Sequence, residues 1–198
     1  MHKKLLNQCN ITFDYLKNTE NGQKLLKEMI GKILNVDVTD ITILKPKIEL
    51  ISQDEREIAI IVNNTTPKTF VNILLMQEGD IHQIRYAECH YLNELNLSIK
   101  EQYEMNYEEI FVNTSNINEK YKNEFFFMSN DKEHYLNNFR ITEFNIVKIL
   151  NDFSNIKDKE EIYNYLYLIF GSTEQRKEIL EKCNNQLFIE FDKNIKEN

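Results

Sequence analysis

Residues 56–77, REIAIIVNNTTPKTFVNILLMQ, hold two almost wholly apolar runs on either side of the turn segment NNTTPK. Ile58 to Val62 and Phe70 to Met76 are too short for helices and rich in β-branched residues, so both read as strands. Asn63, Asn64, Thr65, Thr66 and Pro67 between them are turn chemistry, each favouring a reversal for its own steric or hydrogen-bonding reason. The result is a hairpin with strands apolar on both faces. Such a hairpin belongs inside a sheet that is covered on each side, ordinarily by helices. This one segment therefore predicts an α/β or α+β protein with a mixed central sheet flanked by helices, and excludes a helical bundle.

The rest of the chain fits around it. Leu25, Leu26, Met29, Ile30, Ile33 and Leu34 recur at helical spacing and predict a helix over Gly22 to Leu34. A shorter helical turn is expected near Phe13 to Leu16, with Asn18, Asn21 and Gly22 as punctuation and Asn35 as a stop. Ile41 with Ile43, and Ile48 with Leu50, alternate as strands interrupted at Pro46. Ile84, Ala87, Tyr91, Leu92 and Leu95 predict a long helix from Ile81 to Lys100. EEIFVNT (Glu108 to Thr114) is a further strand, and NEFFFMSN and FRITEFNIVKI are expected to be two more. KDKEEIYNYLYLIF reads as an amphipathic helix stopped at Gly171. Ser172 with Gln175 is a capping-box pattern opening a final helix through Phe188. The expected organisation is one domain over residues 1–150, with a helical extension over 151–198 packed on it.

The 198 residues can bury enough surface for a core without disulfides or a structural metal. No apolar run reaches the roughly 18–20 residues of a membrane span, and the basic start of the chain lacks the apolar stretch of a signal peptide. Cys9, Cys89 and Cys183 are odd in number and widely spaced, which predicts reduced thiols in a cytoplasm. Among the histidines only His82 and His90 share a helix face, as an unremarkable pair. The net charge is −8. A protein gripping phosphates normally carries a basic stripe, so nucleic acid is disfavoured as a partner. The abundance of Asn, Ile and Lys suggests an AT-biased bacterial or phage genome.

Several phrases in this order resemble the recombination-promoting nuclease and transposase family of the PD-(D/E)xK superfamily, over Phe13 to Ile149. FDYLKNTENGQKLLKEMIGKIL is similar to the family's opening helices, and DITILKPKIEL to its next strand. The hairpin ending in LLMQ is similar to the family's catalytic hairpin, IHQIRYAECHYLNEL to its following helix, and EEIFVNTSN to the strand after that. The resemblance implies a restriction-endonuclease-like core. It also implies Mg²⁺-dependent cleavage by hard oxygen ligands: a carboxylate from each hairpin strand, the second followed two residues later by a Lys or Gln that positions water.

Gln77 stands at the last of those positions. The second carboxylate then falls on Leu75, and counting back along the hairpin puts the first near Ile61. Neither aliphatic side chain can ligate Mg²⁺, so no catalytic residue is expected at these degenerate positions, and no cofactor. Glu49, Glu57 and Glu78 are candidate substitutes for a rebuilt metal site. Glu57 lies about 13 Å along the strand from Ile61 at the ordinary rise, and Glu78 points away from Gln77.

The sequence thus predicts a catalytically inactive nuclease-like protein that works by binding a protein partner, as an inhibitor, anti-defence factor or antitoxin-like regulator of the kind a phage encodes. Tyr163 and Tyr167 are candidate interface anchors, because tyrosine gives contact area at low entropic cost; the series with Tyr165 equally suits core packing. Two alternatives stay open. One is a Mg²⁺-dependent DNA endonuclease with relocated carboxylates. The other is a small-ligand or nucleotide binder reusing the relic cleft through Gln77 and Arg85, the latter able to neutralise a phosphate.

Overall fold

The computed structural model describes residues 2–44, 57–76, 100, 104–114, 120–126 and 138–197. The chain divides into two compact units, one of Met1–Thr39 with Ile146–Asn198 and one of Asp40–Asn145. The cut differs from the expected 1–150 and 151–198: the opening helices group with the closing ones, and the sheet lies between them in sequence.

The helical unit contains α1 (His2–Asn18), α2 (Glu20–Leu34), α3 (Ile146–Ile156), α4 (Ile162–Phe170), α5 (Thr173–Lys182) and α6 (Gln186–Glu197). The expected single turn at Phe13 to Leu16 is the buried end of the 17-residue α1. Thr19 breaks α1 from α2 and caps the latter, its hydroxyl accepting from the Gly22 N–H at 3.0 Å and donating to the Tyr15 carbonyl. A Cβ on Gly22 would lie 2.1 Å from that carbonyl oxygen, so only glycine permits the close turn. Asn35 closes α2 in the left-handed conformation that asparagine tolerates.

FRITEFNIVKI is not one strand. The strand ends at Asn145 and α3 begins at Ile146, burying Ile146, Ile149, Phe153 and Ile156 at helical spacing. The final helix is also two: Cys183 to Asn185 interrupt it, and the Asn185 side chain accepts from the Leu187 N–H to start α6. The Ser172–Gln175 capping box forms as expected, with both reciprocal bonds present.

α4 departs from expectation in kind. Ile162, Tyr163 and Tyr165 through Phe170 are all buried, so it is apolar all round rather than amphipathic. A helix of that sort must be wrapped by others. α1, α2, α3 and α5 all touch it. Phe13 meets Phe170 edge-on at 6.3 Å, and Tyr167 stacks on Phe153 at 3.6 Å.

The sheet unit contains β1 (Ile41–Ile43), β2 (Glu57–Val62), β3 (Thr69–Met76), β4 (Asn106–Asn113), β5 (Lys122–Phe126) and β6 (Phe139–Asn145), in the order β1-β2-β3-β4-β6-β5. β1 and β3 each pair antiparallel with β2, while β3, β4 and β6 run parallel, and β5 pairs antiparallel with β6. The hairpin β2–β3 occupies interior positions, as its two-sided apolarity requires. Ile58, Ile60, Val71, Ile73, Leu75 and Ile110 share one face and are each at most 3% exposed. Burying each contributes about 1.5–3 kcal/mol. The expected strand at Ile48 to Leu50, the helix from Ile81 to Lys100 apart from Lys100 itself, and the end of NEFFFMSN lie outside the described residues.

Candidate functional site

The hairpin register corrects the counting that placed the first degenerate ligand at Ile61. Ile61 pairs with Phe70, and Glu57 pairs with Leu74. Leu75 is therefore five residues along β3 from the partner of Ile61, roughly 16 Å at the usual rise. The two also lie on opposite faces, because paired residues share a face and side chains alternate along a strand. Glu57, not Ile61, is the described β2 residue at the Leu75 end, though it too faces the other side. Both Ile61 and Leu75 are buried and aliphatic. Gln77, Glu78, Arg85 and Glu49 lie outside the described residues.

The face that carries Leu75 is aliphatic across β2, β3 and β4. At its β4–β6 end it turns polar. Glu108, 3% exposed, pairs in register with Arg140; its two carboxylate oxygens accept from the Thr142 hydroxyl at 2.6 Å and the Arg140 Nε at 2.5 Å. Glu124 of β5 lies 4.0 Å from the same guanidinium. Burial pushes the Glu108 carboxyl above the ordinary carboxylate range, against the opposing pull of the Thr142 hydroxyl and the Arg140 charge. Each carboxylate oxygen is already engaged by a neighbour within the sheet. This cluster secures the β4–β6–β5 edge.

The opposite face carries the less ordinary arrangement. At one end Ala59, Ile61, Phe70 and Met105 form an apolar cluster with Leu44 and Tyr107 against it. Beyond it the face becomes a polar seam: Glu57 on β2, Asn72 on β3 and Glu109 on β4. Asn72 and Glu109 are direct partners in the parallel ladder, and Glu57 is diagonal to Asn72 on its other side. Direct neighbours bring Cβ atoms to about 5 Å and diagonal ones to about 7–8 Å, within reach of glutamate arms. Asn72 is fully buried and neither its amide nitrogen nor its oxygen has a hydrogen bond. Further along, Glu143 accepts from the side-chain amides of Asn113 at 2.8 Å and Asn123 at 3.1 Å. That acid is satisfied by carboxamides; Glu109, beside a carboxamide, receives no such bond from it.

Asn72, Glu108 and Glu109 escape a reading by motif. The signal in the sequence is an asparagine in an otherwise apolar interior strand, TFVNILLM, where asparagine is a poor strand former. Among the described residues no three His, Cys, Asp or Glu side chains gather at metal-binding distance.

The tyrosines considered as interface anchors are core residues. Tyr163 is 4% and Tyr167 3% exposed. Each hydroxyl of the series reaches a glutamate: Tyr163 donates to Glu160 at 3.3 Å, Tyr165 to Glu28 at 2.9 Å and Tyr167 to Glu178 at 3.0 Å. Burial first, and the neighbouring carboxylate second, raise both Tyr165 and Tyr167, the latter to about 12. Exposed aromatic surface sits elsewhere, at Phe125 and Phe126 on the edge strand β5. None of the described helices is long and apolar enough to cross a membrane. Comparison with protein-family models, with curated proteins and with solved structures finds no match.

Proposed function

We propose that the sheet unit is a nuclease-like core of PD-(D/E)xK type that has lost hydrolysis and that the protein acts by binding a protein partner, as an inhibitor or antitoxin-like regulator. The resemblance implies a mixed central sheet with the hairpin inside it, and the mixed six-stranded sheet with β2 and β3 at interior positions supports that reading. The carrying observation is Leu75. A carboxylate is needed two residues before Gln77, and the side chain there is aliphatic, 3% exposed and set among Ile73, Ile110 and Val112. A divalent cation placed on that face would lose its hydration and gain no ligand, which is prohibitive.

The net charge of −8 favours a basic protein surface over nucleic acid as the partner. The adjacent exposed Phe125 and Phe126 supply the kind of aromatic contact on which interfaces depend. Plasmid cleavage in Mg²⁺ and Mn²⁺, run beside a pull-down from host extract with wild type and a Phe125→Ser/Phe126→Ser double variant, tests this reading. Expected are no cleavage by wild type, and a specific captured protein that the double variant loses. Metal-dependent cleavage by wild type would overturn it.

A further inference from the structure

We propose that Glu57, Asn72 and Glu109 form a site for a hard divalent cation in the polar seam of the sheet, on the face opposite Leu75.

The inference starts from Asn72. A carboxamide offers two N–H donors and one oxygen acceptor, and leaving these buried and unmet costs about 1–3 kcal/mol per group. Asn72 is fully buried in a central strand with both atoms unmet, at a position where an aliphatic residue would pack better. Its direct ladder partner is Glu109, 1% exposed. The same kind of neighbours solve the problem elsewhere on this face, where Asn113 and Asn123 donate to Glu143. At Asn72 that bond is not made. Glu57 and Glu109 have further contacts of their own; Asn72 makes no hydrogen bond through its side chain.

Two carboxylates on either side of a carboxamide define what fits. Ionised carboxylates only accept, so they cannot satisfy the Asn72 oxygen. A cation takes the Asn72 oxygen with an oxygen from each carboxylate, from three adjacent strands, and the Asn72 N–H groups are left to donate to the remaining carboxylate oxygens. Oxygen-only donors of this type select Mg²⁺, Mn²⁺ or Ca²⁺ over softer metals. Glu57 is partly exposed and connects the seam to solvent, whereas Asn72 and Glu109 are closed to anything the size of a nucleotide. The ion would therefore tie β2, β3 and β4 together rather than act on a substrate. Its presence is independent of the partner-binding reading.

The test is Mn²⁺ titration of the full chain by electron paramagnetic resonance, with melting curves in MgCl₂, CaCl₂ or MnCl₂ against KCl of matched ionic strength. Expected are saturable binding and a melting temperature that rises with divalent ion, as a native-state ligand requires. Asn72→Leu should raise the metal-free melting temperature and abolish the metal-dependent rise. Asn72→Asp, which adds a charged ligand of the same size, should tighten binding about tenfold, and Glu108→Gln on the other face should leave it unchanged. No saturable Mn²⁺ binding by wild type, or binding unaltered in both Asn72→Asp and Glu109→Gln, would overturn the proposal and leave a buried water as the occupant. Binding without plasmid cleavage leaves the partner-binding function standing; binding with cleavage sinks that function alone.

Discussion

Two buried charges show how single residues hold this protein, and they do so differently. Arg176 on α5 donates from Nε to Asp192 of α6 at 3.0 Å and from Nη1 to the Gly171 carbonyl at the end of α4 at 2.9 Å. Lys196 also pairs with Asp192. With the Arg176 and Asp192 side chains 4% and 6% exposed, Arg176→Ala strands a buried carboxylate and should cost about 3–5 kcal/mol in urea unfolding. A loss below about 1 kcal/mol would mean that Lys196 alone suffices. Glu108 makes stability depend on pH. Its folded-state pKa lies above its unfolded value, so protonation favours the folded form. The associated stability is fully present below the unfolded carboxylate pKa and is lost as pH rises through the folded one. Glu108→Gln removes this titration. Wild type should therefore gain stability relative to Glu108→Gln as pH falls from neutral into the mildly acidic range; parallel pH–stability curves would refute the assignment. Neither residue is marked by any motif, because pairing across 16 or 32 positions is fixed by packing that periodicity does not encode.

At the scale of elements, the sequence was most informative where the signal was chemical and local. The hairpin, the capping box at Ser172, the stop at Gly171 and the helix ending at Asn35 were all legible, since each depends on residues within a few positions of one another. The departures from local pattern share a cause too. FNIVKI is a short apolar run whose strand and helix periods cannot be told apart by pattern alone, and the structure divides it at Asn145. The tyrosine-rich α4 looked amphipathic because tyrosine counts as both polar and apolar; its rings are core and only its hydroxyls reach the glutamates at the rim. Ile61 was misplaced because a count along one strand ignores register, which is set by the turn at the hairpin tip. Of the seam, only Glu57 was in view, and its partners lie on strands that the sequence could not order. The packing of α4 also gives a prediction. Phe153→Ala removes the ring stacked on Tyr167 and should destabilise by about 3–5 kcal/mol in chemical denaturation, whereas Tyr167→Phe keeps the stack and should cost only about 1 kcal/mol for the bond to Glu178.

For the whole molecule, the consequential fact is that residues 1–39 and 146–198 make one compact unit while residues 40–145 make another. The boundary at residue 150 suggested by the family resemblance cuts through α3 and removes α4, against which α1 and α2 pack. A fragment of residues 1–150 should therefore lack cooperative unfolding and bind a hydrophobic dye; a fragment that melts in one sharp transition at wild-type temperature would contradict the division. The same boundary error explains why the closing helices looked like an appendage: sequence distance is a poor guide to who packs with whom when a sheet intervenes.

That arrangement also has a temporal side. A ribosome releases α1 and α2 first, then the whole of Asp40–Asn145, and only afterwards α4. At roughly 5–20 residues per second, α2 waits on the order of 7–27 s for α4, one of the helices that pack on it. During synthesis the sheet can therefore be complete while the opening helices still present a bare greasy stripe, the natural substrate of a chaperone. The nascent chain of this protein should be bound early and let go late.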